Sequence, residues 1–254
     1  MEYNDRPAIA GAFSRSELEL LFSAEIPSIL IRAQGEDVRL VLTSTFATQE
    51  VLVPASSQIL SVKDLRGQRV GVQAGTSSHF GLFRILSTAG LQPSDINLSL
   101  MQAAEGRVAF ESGRLDAWAA WAPWVETQEV AGRGRTLPGG GADIYSVGTV
   151  RNEFLRSYPA QSQALFDVIQ HAKSWILEHP TEAQQIVAKE LGFDGAVVER
   201  AWPKFHWDAQ LTQDLLQDFQ AKSEFLAAQG LTREGAVVNV QAELIDFRLQ
   251  QNKQ

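Results

Sequence analysis

Between residues 18 and 150 the chain alternates short apolar runs with stretches of helical periodicity. LELLF (18–22) predicts a strand, and IPSILIRAQG (26–35) a helix with Pro27 in its first turn and Gly35 near its end. VRLVLTSTF (38–46) and EVLVP (50–54) are β-rich, and SSQILSVKDLRGQ is a polar connector with one short helical turn. RVGVQ predicts a strand. SSHFGLFRILSTAG predicts a helix with Leu82, Phe83, Leu86 and Ala89 on one face and Gly90 at its end. NLSLM (97–101), a helix over AAEGRVAFESG (103–113), a strand over RLDAWAAW (114–121) and a short helix opened by Pro123 continue the alternation. A Gly-rich turn, PGGGAD (138–143), then precedes a strand, IYSVGTV (144–150). This order predicts parallel strands with right-handed crossovers, an α/β architecture.

After residue 152 the pattern becomes helical. Leu165, Ile169, Ala172 and Ile176 fall on one face of a helix, TEAQQIVAKELG is a second helix closed by Gly192, and Leu215, Phe219, Lys222 and Leu226 share a face of a third. The expected organisation is therefore a compact α/β unit over 55–143. A discontinuous unit from 1–54 and 144–254 accompanies it, and the chain crosses between them near 42–54 and 143–150.

The strand-to-helix turn at Gly75, Thr76, Ser77 and Ser78 is the first candidate for chemistry. A helix N-terminus carries unpaired N–H groups and about half a positive charge, so glycine and hydroxyl residues there can hold an anion without Lys or Arg. Thr and Ser also cap helices, and the segment alone leaves both readings open. The stretch DAWAAWAPW (116–124) is the second. Trp118 and Trp121 point to opposite faces of a strand, and Trp121, at its end, is either an aromatic wall for a ligand or core filling. Glu25, in a strand-to-helix turn, either meets a ligand amine or favours the N-terminus of its own helix. Glu105 reads as solvated.

Composition narrows the function classes. The 254 residues, 44% hydrophobic and 20% charged, can bury a core, and there is no Cys for disulfides, thiolate nucleophiles or thiolate metal sites. The net charge of −8 and the pI of about 5.1 argue against a nucleic-acid surface. The four His are dispersed, without metal-ligand spacing, and neither a G-x-S-x-G elbow nor a G-x-x-x-x-G-K loop occurs. No apolar run reaches the roughly 20 residues of a membrane span, and MEYNDRPAIAGAF does not read as a signal peptide.

DLRGQRVGVQAGTSSHFGLFRILSTAGL and AAEGRVAFESGRLDAWAAWAPWVETQE, with AEIPSILIRAQGEDVRLV upstream, resemble the solute-binding proteins of ABC importers for sulfonates, taurine and nitrate. The resemblance runs over nearly the whole chain. It implies a two-lobed type II periplasmic-binding-protein fold of the α/β class, with parallel-rich sheets flanked by helices, that closes on a small oxyanion. It also implies a periplasmic monomer without cofactor or metal, whose partners are the small anionic ligand and a membrane permease. The family's anion-holding helix N-terminus corresponds to Thr76, Ser77 and Ser78, and its pocket-lining aromatic to Trp121; Glu25 and Trp124 are carried over as further candidates. Family members normally begin with a strand and helix of the first lobe, which the residues before LELLF do not resemble, so that lobe is expected to be incomplete. The same fold is similar to aryl-sulfinate desulfinases, which need a Cys nucleophile, and to thiamine-pyrimidine-synthesis proteins. An enzyme or a sensor is therefore the alternative.

Overall fold

The computed structural model describes residues 12, 13, 15 and 17–251. The expectation about the residues before LELLF falls, apart from Ala12, Phe13, Arg15 and Glu17, on residues outside these. The chain divides into two compact units, one of Met1–Phe46, Tyr145–Glu178 and Trp207–Gln254, the other of Ala47–Ile144 and His179–His206.

In the first unit, strand β1 (Leu20–Ala24) leads directly into helix α1 (Glu25–Ala33), followed by the first part of strand β2 (Val38–Pro54). β1 pairs antiparallel with the later part of β6 (Gly134–Arg151), from Leu20 opposite Val150 to Ala24 opposite Ser146. Helices α5 (Asn152–Ser157), α6 (Pro159–Glu178), α9 (Leu215–Ala228) and α10 (Arg248–Gln251) complete the unit. Val41, Leu42, Val150, Leu155 and Phe166 form an apolar cluster.

The buried positions of α6 are Ser162, Phe166 and Lys173, not the row of Leu165, Ile169, Ala172 and Ile176 that its periodicity predicts. Lys173 earns this place by its chemistry. Its stem is apolar, and its ammonium donates to the Thr43 carbonyl at 2.8 Å and to the Ala209 carbonyl.

In the second unit, β2 pairs antiparallel with β5 (Ala117–Ala120), whereas β3 (Arg69–Val72) lies parallel to both β5 and β4 (Asn97–Leu100). The sheet is thus mixed: its β4, β3 and β5 part is the expected parallel one. Helix α2 (Ser77–Thr88) covers one face, where Leu82, Ile85 and Leu86 meet Val51, Val53, Val70, Val72, Ala117 and Ala119. Helices α3 (Ala103–Glu111) and α4 (Trp124–Val130) cover the other, where Ala109, Phe110 and Val125 meet Leu52, Trp118 and Ala120. Strands buried on both faces explain the near-continuous apolar run AWAA.

Two sequence expectations need correction here. PGGGAD is not a turn but part of β6, since a side chain at Gly140 would fall 2.9 Å from the Leu137 carbonyl and one at Gly141 2.9 Å from Thr48 Cγ2. Gly141 allows the close approach of Thr48, whereas Gly139, at φ +75°, and Gly140, folded close to Leu137, mark a local kink within the strand. Residues 179–206, with helices α7 (Pro180–Leu191) and α8 (Gly195–Ala201), group with the central segment rather than with the C-terminal one. Ion pairs hold them there: Arg200 to Glu129 at 2.9 Å, and Lys204 to Glu126 at 2.7 Å and to Glu50.

Candidate functional site

Parallel pairing puts the carboxyl ends of β3 and β5 at the same edge of the second unit's sheet. After β3 the chain turns through Gly75, whose φ of +59° suits a residue without a side chain, and enters α2 at Ser77. The turn is tied down on both sides. The Gln73 side-chain oxygen accepts the Ala103 N–H at the start of α3, at 3.1 Å. Thr76 donates its hydroxyl to the Gln73 carbonyl at 2.6 Å and accepts the His79 N–H at 3.2 Å. At Thr76, then, the turn chemistry is capping.

Ser77 and Ser78 differ. Their N–H groups lie in the first turn of the helix, where no intrahelical acceptor exists. Ser77 is 3% exposed and Ser78 fully buried, yet neither hydroxyl has a hydrogen-bond partner among the described residues. A third group shares this condition. Gln49 of β2 is fully buried, and both its side-chain oxygen and nitrogen lack a partner among the described residues.

Its position follows from register and packing. Glu50 faces Ala120, the last residue of β5, so Gln49 stands at that strand's carboxyl end. A Cβ on Gly81 would come within 2.5 Å of Gln49 Nε2, which lays the amide on the helix face where residues 77 and 78 precede 81 by one turn. Unpaired buried polar groups cost roughly 1–3 kcal/mol each, so three gathered at one helix start call for an explanation other than packing.

Trp121 follows the last residue of β5 and is half-buried. Were the strand's alternation carried one residue further, it would fall on the side of Ala117 and Ala119, the side that α2 covers. Trp124 lies elsewhere. Its ring meets that of Trp118 at 6.2 Å and 61°, against the cluster under α3 and α4. Glu25 belongs to the first unit. It is fully buried; its Oε1 is 2.7 Å from Lys222 Nζ, and its Oε2 accepts the Tyr145 N–H at 2.9 Å. Lys222 also meets Asp218 at 2.6 Å. Burial alone would lower the Lys222 pKa, but the two carboxylates outweigh it and hold the ammonium above the ordinary lysine value. Glu105 accepts the Gln102 N–H at 3.1 Å and so caps α3.

On the strand next to Gln49, Glu50 pairs with Lys204, which also pairs with the fully buried Glu126. Burial raises the Glu50 carboxyl pKa, with Lys204 opposing. Among the described residues no group of three or more His, Asp or Glu is placed to hold a metal ion, and no helix is long and apolar enough to cross a membrane.

Residues 19–183 match the family described as NMT1/THI5 like. The chain belongs to the NMT1/THI5-like family. An Escherichia coli (strain K12) protein named "Putative aliphatic sulfonates-binding protein" is 28% identical over 203 residues, which cover 78% of this chain and 63% of that protein. With a Bacillus subtilis (strain 168) protein of the same name covered to 61%, the NMT1/THI5-like chain spans about three-fifths of the length of the curated relatives it matches. Among solved structures, the periplasmic aliphatic sulphonate binding protein SsuA from Escherichia coli superposes with a TM-score of 0.84 at 23% identity, covering 96% of this chain and 85% of SsuA. The desulfurization enzyme DSZB superposes with a TM-score of 0.68 at 20% identity, covering 92% and 84%. The fold of the NMT1/THI5-like chain is thus the mixed α/β fold of periplasmic binding proteins, one that also carries an enzyme.

Proposed function

We propose that this NMT1/THI5-like protein binds a small organosulfur oxyanion, an aliphatic sulfonate or a taurine-like compound, as the solute-binding component of an ABC importer. The observation that carries the reading is the set of buried, unpartnered polar groups on Gln49, Ser77 and Ser78 at the start of α2. A sulfonate offers three acceptor oxygens. The N–H groups of Ser77 and Ser78, their hydroxyls and the Gln49 amide are neutral donors for it, and the helix dipole adds favourable charge. Neutral donors hold the anion without a buried ion pair, whose desolvation cost can exceed its Coulombic gain.

Trp121 supplies an apolar surface for the organic part. Gly75 and Thr76 shape the turn, whereas Glu25 and Trp124, expected from the sequence to join the set, serve packing and charge balance. A periplasmic location is drawn from the likeness to the taurine-binding periplasmic relative, and a permease partner and a monomeric state from the family resemblance of the sequence. Calorimetry of the full chain against ethanesulfonate, taurine, nitrate and sulfate tests the reading. Saturable binding of at least one is expected, with the sulfonates tightest; no heat with any of them overturns it. Turnover of an aryl sulfinate would replace it with the enzyme reading.

A further inference from the structure

The amide of Gly75 is already engaged: it donates to His79 Nδ1 at 3.3 Å. We propose that His79 is the positioning residue of the anion site, an internal acceptor that fixes the Gly75 turn in its binding shape before a ligand arrives. The inference rests on the proposed anion reading of Ser77 and Ser78.

An imidazole nitrogen that accepts a hydrogen bond carries no proton, so this contact requires the neutral ring with its proton on Nε2. The ring is held in place to do this. His79 is 2% exposed, its plane stands at 76° to the Phe83 ring with centroids 4.8 Å apart, and its own N–H is bound by the Thr76 carbonyl at 3.0 Å and the Thr76 hydroxyl at 3.2 Å. One side chain therefore closes a loop from the first turn of α2 back to the glycine that starts the reversal. Gly75 sits at φ +59°, a conformation a glycine leaves easily. Without the imidazole acceptor the turn keeps its ties through Gln73 and Thr76 but loses this one at the Gly75 amide, and a ligand would have to steady that peptide itself and lose affinity in doing so.

Two variants separate this role from bulk packing. His79→Asn keeps an acceptor near the place of Nδ1, and His79→Phe keeps an aromatic ring against Phe83 but removes the acceptor. Each full-length variant is titrated with ethanesulfonate where circular dichroism shows it folded. His79→Phe is expected to weaken binding about tenfold and His79→Asn by no more than about threefold. Equal affinity in His79→Phe and the unsubstituted protein, or equal losses in the two variants, would overturn the proposal. Amide hydrogen exchange of the ligand-free proteins gives a readout that does not depend on binding. The Gly75 amide should exchange faster in His79→Phe and near the original rate in His79→Asn, and unchanged exchange in both overturns the positioning role. If the unsubstituted protein binds none of the anions while the exchange pattern holds, the anion reading fails and the turn-fixing role of His79 stands.

Discussion

Gln49 fills the space that a side chain on Gly81 would need: a Cβ there would lie 2.5 Å from Gln49 Nε2 and 3.0 Å from Ala142 Cβ. A strand residue and a helix residue 32 positions apart in the chain are thereby fitted to each other, and the fit sets where the Gln49 amide can stand. Gly81→Ala should favour the isolated helix by about 1 kcal/mol yet displace the amide. The expected outcome is a loss of ethanesulfonate affinity of about tenfold with little net gain in stability, checked by calorimetry and thermal unfolding.

Gln49→Leu separates stability from binding. The native amide is buried with neither atom paired among the described residues. Replacing it with an apolar side chain of similar size should leave the ligand-free protein as stable or more stable, by up to about 1–3 kcal/mol. Affinity for a sulfonate should fall tenfold or more, on the order of 1.4 kcal/mol. Urea unfolding and calorimetry on the same variant measure both.

Glu25→Gln tests the assignment of Glu25 to structure. Lys222 and Glu25 have side chains 1% and 0% exposed, and removing one member of a buried pair typically costs about 3–5 kcal/mol. With Asp218 remaining beside Lys222, a loss near the lower end is expected. The double variant Glu25→Gln, Lys222→Met should recover part of it, read from denaturant midpoints.

Lys173 gives a pH dependence of known sign. Burial pulls its ammonium down to about 8 from the ordinary lysine value of 10.5. Below about pH 8 both folded and unfolded chains carry the proton. Between about 8 and 10.5 only the unfolded chain does, so folding releases a proton and this group's contribution to stability rises with pH. The difference in unfolding free energy between the original protein and Lys173→Met should be flat below about pH 7 and climb across that window. A difference that stays flat throughout would mean that Lys173 titrates as an exposed lysine.

The strand, turn and helix over 69–88 are legible in the sequence because each signal is local: an apolar run, a glycine, a cap and a helical period. Local spacing also marks Ser77 and Ser78, but it cannot separate them from Thr76, since that distinction depends on where each hydroxyl finds a partner. Gln49 escapes a local reading because it falls between the two β-rich runs, 38–46 and 50–54, that the structure joins into one strand. One signal was available: Gln49 shares the parity of Val51 and Val53, so it is a polar residue on a core face. The grouping of 179–206 with the central unit is beyond local reading, because it rests on pairs such as Arg200 with Glu129 that lie 71 positions apart.

The central claim is that the first-turn amides and hydroxyls of α2, with the Gln49 amide, grip a sulfonate headgroup. Backbone and side-chain amide resonances of the labelled full chain, followed during titration with ethanesulfonate, test it most directly. The account predicts downfield movement of the Ser77 and Ser78 N–H and of the Gln49 side-chain N–H, saturating together with the calorimetric isotherm. Saturable binding that leaves those three resonances unmoved would contradict it.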